Sequence, residues 1–411
     1  MPPRYPLGLF DAFGVELEYM IVDRDTLAVK PVADELIRSV TGSYRSDVEN
    51  GAIGWSNELV NHVIELKTNG PAPSLTGLAD AFHANVLQVN ARLAGLNAML
   101  LPTGAHPLMD PYTETVLWPH EFSEVYQLYN RIFDCRGHGW SNLQSTHLNL
   151  PFADEAEFGR LHAAIRLVLP IIPALTASSP LLDGAYTGFA DSRLETYRHN
   201  QELIPAIAGK VIPEPVFTEA DYRARIYEPI RQGIEPYDTQ GILKYTFINS
   251  RGAIARFDRG AIEIRVIDIQ ECPAADIAIL AGVVAVLRAL VDERWVDYPA
   301  QQAWGEEALS GIFLEVVRSG EDAVITDPRY LEALGVPPKP TRAGEVWGLL
   351  IEAVGEALDT DTRSVLRYIV DHGTLTSRIR RSIGASPVSD TIRVTYRQLA
   401  ACLAENRLFG L

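Results

Sequence analysis

The stretch Gly14–Asp23 reads GVELEYMIVD, apolar enough for a core yet carrying two glutamates two residues apart. Side chains of an extended strand alternate faces, so Glu16 and Glu18 share one face while Val15, Leu17 and Tyr19 share the other. Taken alone, such a strand is ordinarily half-exposed with solvated acids. Its repetition is the constraint. In QSTHLNLPF, His147 and Asn149 oppose Thr146, Leu148 and Leu150; in AIEIRVID, Glu263 and Arg265 oppose Ile262, Ile264 and Val266. The run NELVNHVIELKT holds Glu58 and Glu65 at an odd interval, so either Glu58 lies before the strand or a bulge intervenes.

Each of these segments has an ordinary reading: His147 as a hydrogen-bonded structural histidine, Glu263 and Arg265 as an exposed pair worth about 0–1 kcal/mol. Gathered on one sheet with one face on the core, they leave several carboxylates together on the other. Like charges a few ångströms apart cannot all stay ionised without cations. Hard oxygen donors select magnesium, and the imidazole of His147 tilts the set slightly toward manganese.

A chain of 411 residues exceeds the usual size of one core. The pattern turns almost wholly helical from about Asp276, and VDYPAQQAW breaks it near Tyr298. We therefore expect a catalytic domain over residues 1–298 and a helical region over 299–411 packed on it, in an α+β fold. Ser74 is expected to cap a long amphipathic helix running to Asn97, followed by a strand and turn over Ala98–Pro107 and a helix over Glu121–Phe133. Leu161–Ala177 is helical but interrupted by Pro170 and Pro173, and the proline-rich Glu202–Tyr222 reads as an irregular loop beside the site. The apolar run Ala278–Leu287 is too short to span a bilayer and reads as a buried helix.

A net charge of -17 leaves no basic patch for nucleic acid or an anionic membrane, and an anionic substrate would need metal ions or placed arginines. Three widely spaced cysteines suggest neither a disulfide framework nor a zinc knuckle, and the N-terminus lacks a signal-peptide pattern; a reducing cytoplasm is expected. No P-loop is found: the nearest match, AIAGKVI, follows its lysine with valine. GHG at 137–139 lacks the third glycine of a dinucleotide fingerprint.

An acidic sheet face holding divalent ions, with arginines beside it, suits ATP-dependent activation, Arg265 meeting charge on the transferred phosphoryl group. Taken in order, GVELE, ELVNHVIELKT, LPTGAHP, STHLNLPF and GAIEIRVIDIQ resemble the glutamate–cysteine ligase family, in particular the carboxylate–amine ligases of its family 2, within the glutamine synthetase superfamily. The resemblance spans Phe13 to about Pro273 and implies an antiparallel sheet curved into a funnel, with ATP at one end and the acid substrate at the other. It implies that Glu16, His147 and Glu263 bind one metal ion and that Glu18, Glu58 and Glu65 bind the others. Arg265 would contact the transferred phosphate, with Glu263 also in the catalytic set. Asn149, and Arg193 and Arg198 from DSRLETYR, become candidates for substrate or ATP recognition, although that last segment also reads as a charge-laced helix face.

The implied reaction joins the γ-carboxylate of glutamate to the amine of cysteine or a similar amino acid through an acyl phosphate, with glutathione biosynthesis as the setting and a homodimer as a plausible assembly. The sequence departs from the family at one point. His147-Leu148-Asn149 stands where many members carry His-x-His, which leaves the acid and amine open. Two alternatives use the same face: a metal-dependent phosphotransferase or hydrolase, and a non-catalytic nucleotide or metal sensor.

Overall fold

The computed structural model describes residues 4–410. Its centre is an eight-stranded antiparallel sheet built from β1 (Gly14–Asp23), β2 (Asp47–Val48), β3 (Ile53–Asn57), β4 (Val63–Thr68), β5 (Ala98–Leu101), β6 (Ser145–Pro151), β9 (Ala253–Arg256) and β10 (Ala261–Asp268). The two short strands β7 (Leu181–Leu182) and β8 (Ala185–Tyr186) form a separate pair. The sheet order is β2-β3-β4-β1-β6-β10-β9, with β5 added to the C-terminal half of β1. Three of the four segments with alternating faces, β1, β6 and β10, are therefore adjacent, and β4 flanks them.

The apolar face is the one that alternation assigns to the core. Val15, Leu17, Tyr19, Ile64, Leu66, Leu148, Leu150, Ile262 and Ile264 are all buried in the main hydrophobic cluster. The helices Leu78–Leu93, Glu155–Val168 and Pro273–Val291 belong to the same cluster, the last packing on both of the others. The last of these contains the apolar run noted above; by length and composition alone it could cross a bilayer, but it is enclosed by protein. Ser74 does not cap the following helix. That helix begins at Leu78 after Gly77, whose positive φ of 82° suits glycine, and the Ser74 hydroxyl instead accepts from Thr76 N. The two prolines act as expected: the helix ends at Val168, a 3-10 turn spans Leu169–Ile171, and a short helix restarts at Pro173.

On its second face β1 changes character along its length. Glu16 and Glu18 give way to Met20 and Val22, which enter a second apolar cluster with Leu101, Ile379, Ile392, Tyr396 and Leu399. The C-terminal helices Leu375–Ile383 and Ser389–Glu405 thus close the sheet beyond Glu18, and the acidic part of this face is left as a bounded patch.

Candidate active site

Strand register sets the chemistry. Glu16 of β1 lies opposite His147 of β6 on one side and Lys67 of β4 on the other; Glu18 lies opposite Glu65, and Glu263 of β10 opposite Asn149. His147 sits between two carboxylate sets: Nδ1 is 2.9 Å from Glu16 Oε2 and 3.9 Å from Glu263 Oε1, while Nε2 is 3.8 Å from Glu18 Oε1. Donor atoms of Glu16, His147 and Glu263 lie within 4.8 Å of one another, and so do those of Glu18, Glu65 and His147. Carboxylate oxygens with one imidazole form a donor set that fits magnesium or manganese.

Surrounding groups orient these ligands. Glu18 Oε2 accepts from Ser145 N at 2.7 Å and Ser145 Oγ at 2.9 Å, Asn149 Nδ2 donates to Glu16 Oε1 at 3.1 Å, and Ser56 Oγ donates to Glu65 Oε1 at 2.6 Å. Burial opposes ionisation of Glu16, but the His147 hydrogen bond and the charges of His147, Lys67 and Arg265 outweigh it and hold the carboxyl at about 2. Glu65 is pushed the other way by burial and the Glu16 charge.

Glu58 settles the odd interval. β3 ends at Asn57 and β4 starts at Val63, so Glu58 lies in the connection before the strand, with no bulge needed. It lines the same cavity but belongs to neither ion-competent group. Burial and the charges of Glu18 and Glu65 push its pKa well above the usual carboxylate range.

A bulge does occur, in β10. Ile264 pairs with Leu148 and Ile267 with Thr146, so Arg265 and Val266 together oppose His147. The extra residue re-aims the strand where Arg265 meets the site, and Arg265 Nε donates to Glu263 Oε1 at 3.1 Å. Arg193 borders the cavity, but its guanidinium is committed to the protein: Nε is bonded to Asp268 and Nη2 donates to the Arg265 carbonyl at 3.1 Å. It supports the bulge, correcting the expectation of a free anion receptor. Arg198 does not line the cavity; it is held by Glu195 at 2.7 and 2.9 Å, the charge-laced helix face of the alternative reading. The loop 202–222 does not line it either, although the preceding Tyr197, Asn200 and Gln201 do. Its carbonyl and acid go instead to buried arginines, Pro213 O to Arg166 and Glu214 to Arg251.

The acidic face floors a cavity of about 620 Å³. A second cavity of about 440 Å³, walled by Tyr5, Pro6, Leu7, Phe13, Pro71 and Pro151, shares Glu16, Lys67 and Arg259 with it. A larger cleft of about 840 Å³ opens among the helices, and neither ion-competent group borders it. Sequence reading missed Lys67, Ser145, Arg256, Arg259 and the aromatic wall of Tyr126, Tyr129 and Trp140. Lys67 was within reach, because it shares the Glu65 face at an interval of two.

Comparison with known proteins gives a family and a fold. The profile of glutamate–cysteine ligase family 2 matches residues 12–386. An uncharacterized protein of Archaeoglobus fulgidus is 34% identical over 341 residues, covering 81% of this chain and 91% of its own. Among solved structures, a glutamate–cysteine ligase of Francisella tularensis in complex with AMP superposes with a TM-score of 0.59 at 13% identity, covering 98% of this chain and 90% of that one. A bifunctional glutathione synthetase of Pasteurella multocida gives 0.58 at 12% identity over 96% of this chain, which spans about half (52%) of the longer protein.

Proposed function

Because the chain belongs to glutamate–cysteine ligase family 2, a family of carboxylate–amine ligases, we propose that it joins an amino acid's side-chain carboxylate, that of glutamate first among candidates, to an amine at the expense of ATP. The observation that carries this reading is the pair of carboxylate–imidazole groups on one sheet face, bordered by two cavities that share Glu16, Lys67 and Arg259. A nucleotide's base and ribose suit the smaller cavity with its tyrosine, prolines and phenylalanine; its phosphates would then reach the shared Lys67 and Arg259. Every group in this arrangement precedes residue 298, and the helices Leu375–Ile383 and Ser389–Glu405 bound the acidic face beyond Glu18.

Glu16, His147 and Glu263 would hold one divalent ion, and Glu18 and Glu65 would contribute carboxylate oxygens to a second. Such ions, when bound, neutralise the triphosphate and the charge developing on the transferred phosphoryl group. A free carboxylate resists amine attack because its carbon is electron-rich and its leaving group poor. In the first step a carboxylate oxygen bonds to the γ-phosphorus as the β,γ-bridge breaks, giving an acyl phosphate and ADP. Arg265, fixed by its bulge and by Arg193, would meet the equatorial phosphoryl oxygens. In the second step the amine nitrogen bonds to the acyl carbon, the carbon–oxygen bond to phosphate breaks, and the surplus protons leave to phosphate and solvent. The burial of Glu65, His147 and Glu263 helps to keep water from the acyl phosphate.

The test is mass spectrometry of the protein incubated with ATP, magnesium, glutamate and pooled amines, with ADP release followed in parallel. A new γ-glutamyl amide that requires every component supports the reading. ADP release independent of amine would replace it with a hydrolase or phosphotransferase, and nucleotide binding with neither product would replace it with a sensor.

A further inference from the structure

The helix Ser123–Phe133 presents aromatic rings in an unusual direction. Phe122, just before it, and Tyr126 and Tyr129 within it follow the spacing i, i+4, i+7 and all three line the cavity above the acidic face. An aromatic stripe of that period normally faces a core. Here it runs from a floor, where Tyr129 is buried and packs on Trp140 with ring centroids 5.3 Å apart, to a mouth where Phe122 is 57% exposed. Phe122 holds that position with a φ of 68°, a left-handed conformation that bulky residues rarely adopt. Phe247, 56% exposed, borders the same cavity from another element.

The chamber also has unmet polar atoms. Gln201 is 3% exposed and gives its Nε2 to Ser250 Oγ, yet its Oε1 has no partner; Trp140 Nε1 is likewise buried without an acceptor, and both residues line the cavity. Beside the stripe, Asn57 Nδ2 donates to Tyr126 Oη at 3.1 Å, and Glu58, outside the ion-competent groups, lines the same cavity close enough that its charge adds to burial in raising the pKa of the Tyr126 hydroxyl. Arg256 and Arg259 lie at the opposite side of the sheet, on and beyond β9.

From this we infer that the chamber is the amine subsite and that its amine carries a ring or similarly bulky apolar body. The inference rests on the ligase reading and deepens it. Electron-rich ring faces attract an ammonium, and guanidinium groups attract a carboxylate, so the acid substrate belongs on the arginine side and the amine on this one. A body the size of the cysteine side chain would leave Phe122 and Phe247 in water.

The experiment compares 2-phenylethylamine and phenylalanine with cysteine and alanine in two assays: calorimetric binding in the presence of magnesium and a non-hydrolysable ATP analogue, and ADP release with glutamate and ATP. The expected result is a ring-bearing amine favoured over cysteine by tenfold or more in both. Phe122→Ala and Phe247→Ala should each remove most of that preference without changing the KM for ATP. Phe122 is exposed, so its replacement tests contact and not folding. Preference for cysteine or alanine with normal ADP release overturns the inference while the ligase reading stands, as does indifference to both substitutions. Tight binding of the ring-bearing amine, sensitive to Phe122→Ala but without ADP release, keeps the chamber and removes the ligase reading.

Discussion

Strand β10 carries two buried acidic regions that the protein treats in opposite ways. At and beyond its C-terminal end, Asp268 accepts from Ser178 N at 2.9 Å and Ser179 Oγ at 2.7 Å and is paired with Arg193, while Glu271 is paired with Arg378 and accepts from Phe409 N at 3.2 Å. Near its start, Glu263 joins Glu16, Glu18, Glu58 and Glu65 around one histidine, with Lys67 and Arg265 the nearest committed cations. An acid whose charge and lone pairs are met by protein is part of the fold. A group of acids whose charge is not met is built for a cation that arrives from solution. The two regions are joined, because Arg193 binds Asp268 and the Arg265 carbonyl together.

The sharpest break of that comparison is chemical. Glu16→Gln and Glu263→Gln should each lower turnover by at least about 10⁴-fold, roughly 5.5 kcal/mol, while the circular dichroism spectrum stays that of the unsubstituted protein. Full activity in either variant would remove the ion assignment. The converse holds on the other side: Arg378→Met leaves Glu271 buried without its partner and should cost about 3–5 kcal/mol of stability in urea unfolding. A loss under 1 kcal/mol would mean that Glu271 is not structural in the sense argued.

Buried histidines supply a third case, in which the protein keeps a titratable group neutral. Burial lowers His62 and His106 to about 4 and His162 to about 3. The folded values lie below that of the unfolded chain, so from pH 6.5 down toward 4 the unfolded chain binds protons that the folded one does not. Stability from these residues is complete above pH 6.5 and is lost as pH falls, by on the order of 3 kcal/mol each by pH 4. Unfolding midpoints measured from pH 7 to 5 should fall, and His162→Phe should flatten the slope; an unchanged slope would show that His162 titrates normally when folded.

The legibility of these regions in the sequence differs for a physical reason. Period-two alternation is local, so the acidic faces of β1, β6 and β10 could be read strand by strand, and their gathering needed only the assumption of one sheet. The Arg193–Asp268 pair spans 75 residues and the Glu271–Arg378 pair 107, and no local pattern announces either. The bulge at Arg265–Val266 was equally silent, since the strand holds no glycine or proline to mark it. Gly104 in the LPTGAHP turn carries a clue visible only afterwards: a Cβ there would stand 2.5 Å from the Asp268 carboxylate, so the turn closes directly on the structural acid. The stripe Phe122, Tyr126, Tyr129 was legible as a helical period, but period does not say whether a face meets core or cavity.

The smallest effect separates the two regions most directly. Among the described residues the Glu58 carboxylate has no hydrogen-bonded partner, and burial together with the charges of Glu18 and Glu65 pushes its pKa up. Substituting Glu58→Gln keeps its volume and removes the repulsion, so the metal-free protein should gain about 1 kcal/mol, whereas removing a charge from the Asp268 region destabilises. Millimolar magnesium should raise the melting temperature of the unsubstituted protein and shrink the advantage of the variant, because ions at Glu18 and Glu65 screen the same repulsion. An advantage unchanged by magnesium would place the strain at Glu58 outside the influence of the ion groups, and a destabilised variant would move Glu58 to the structural side of the comparison.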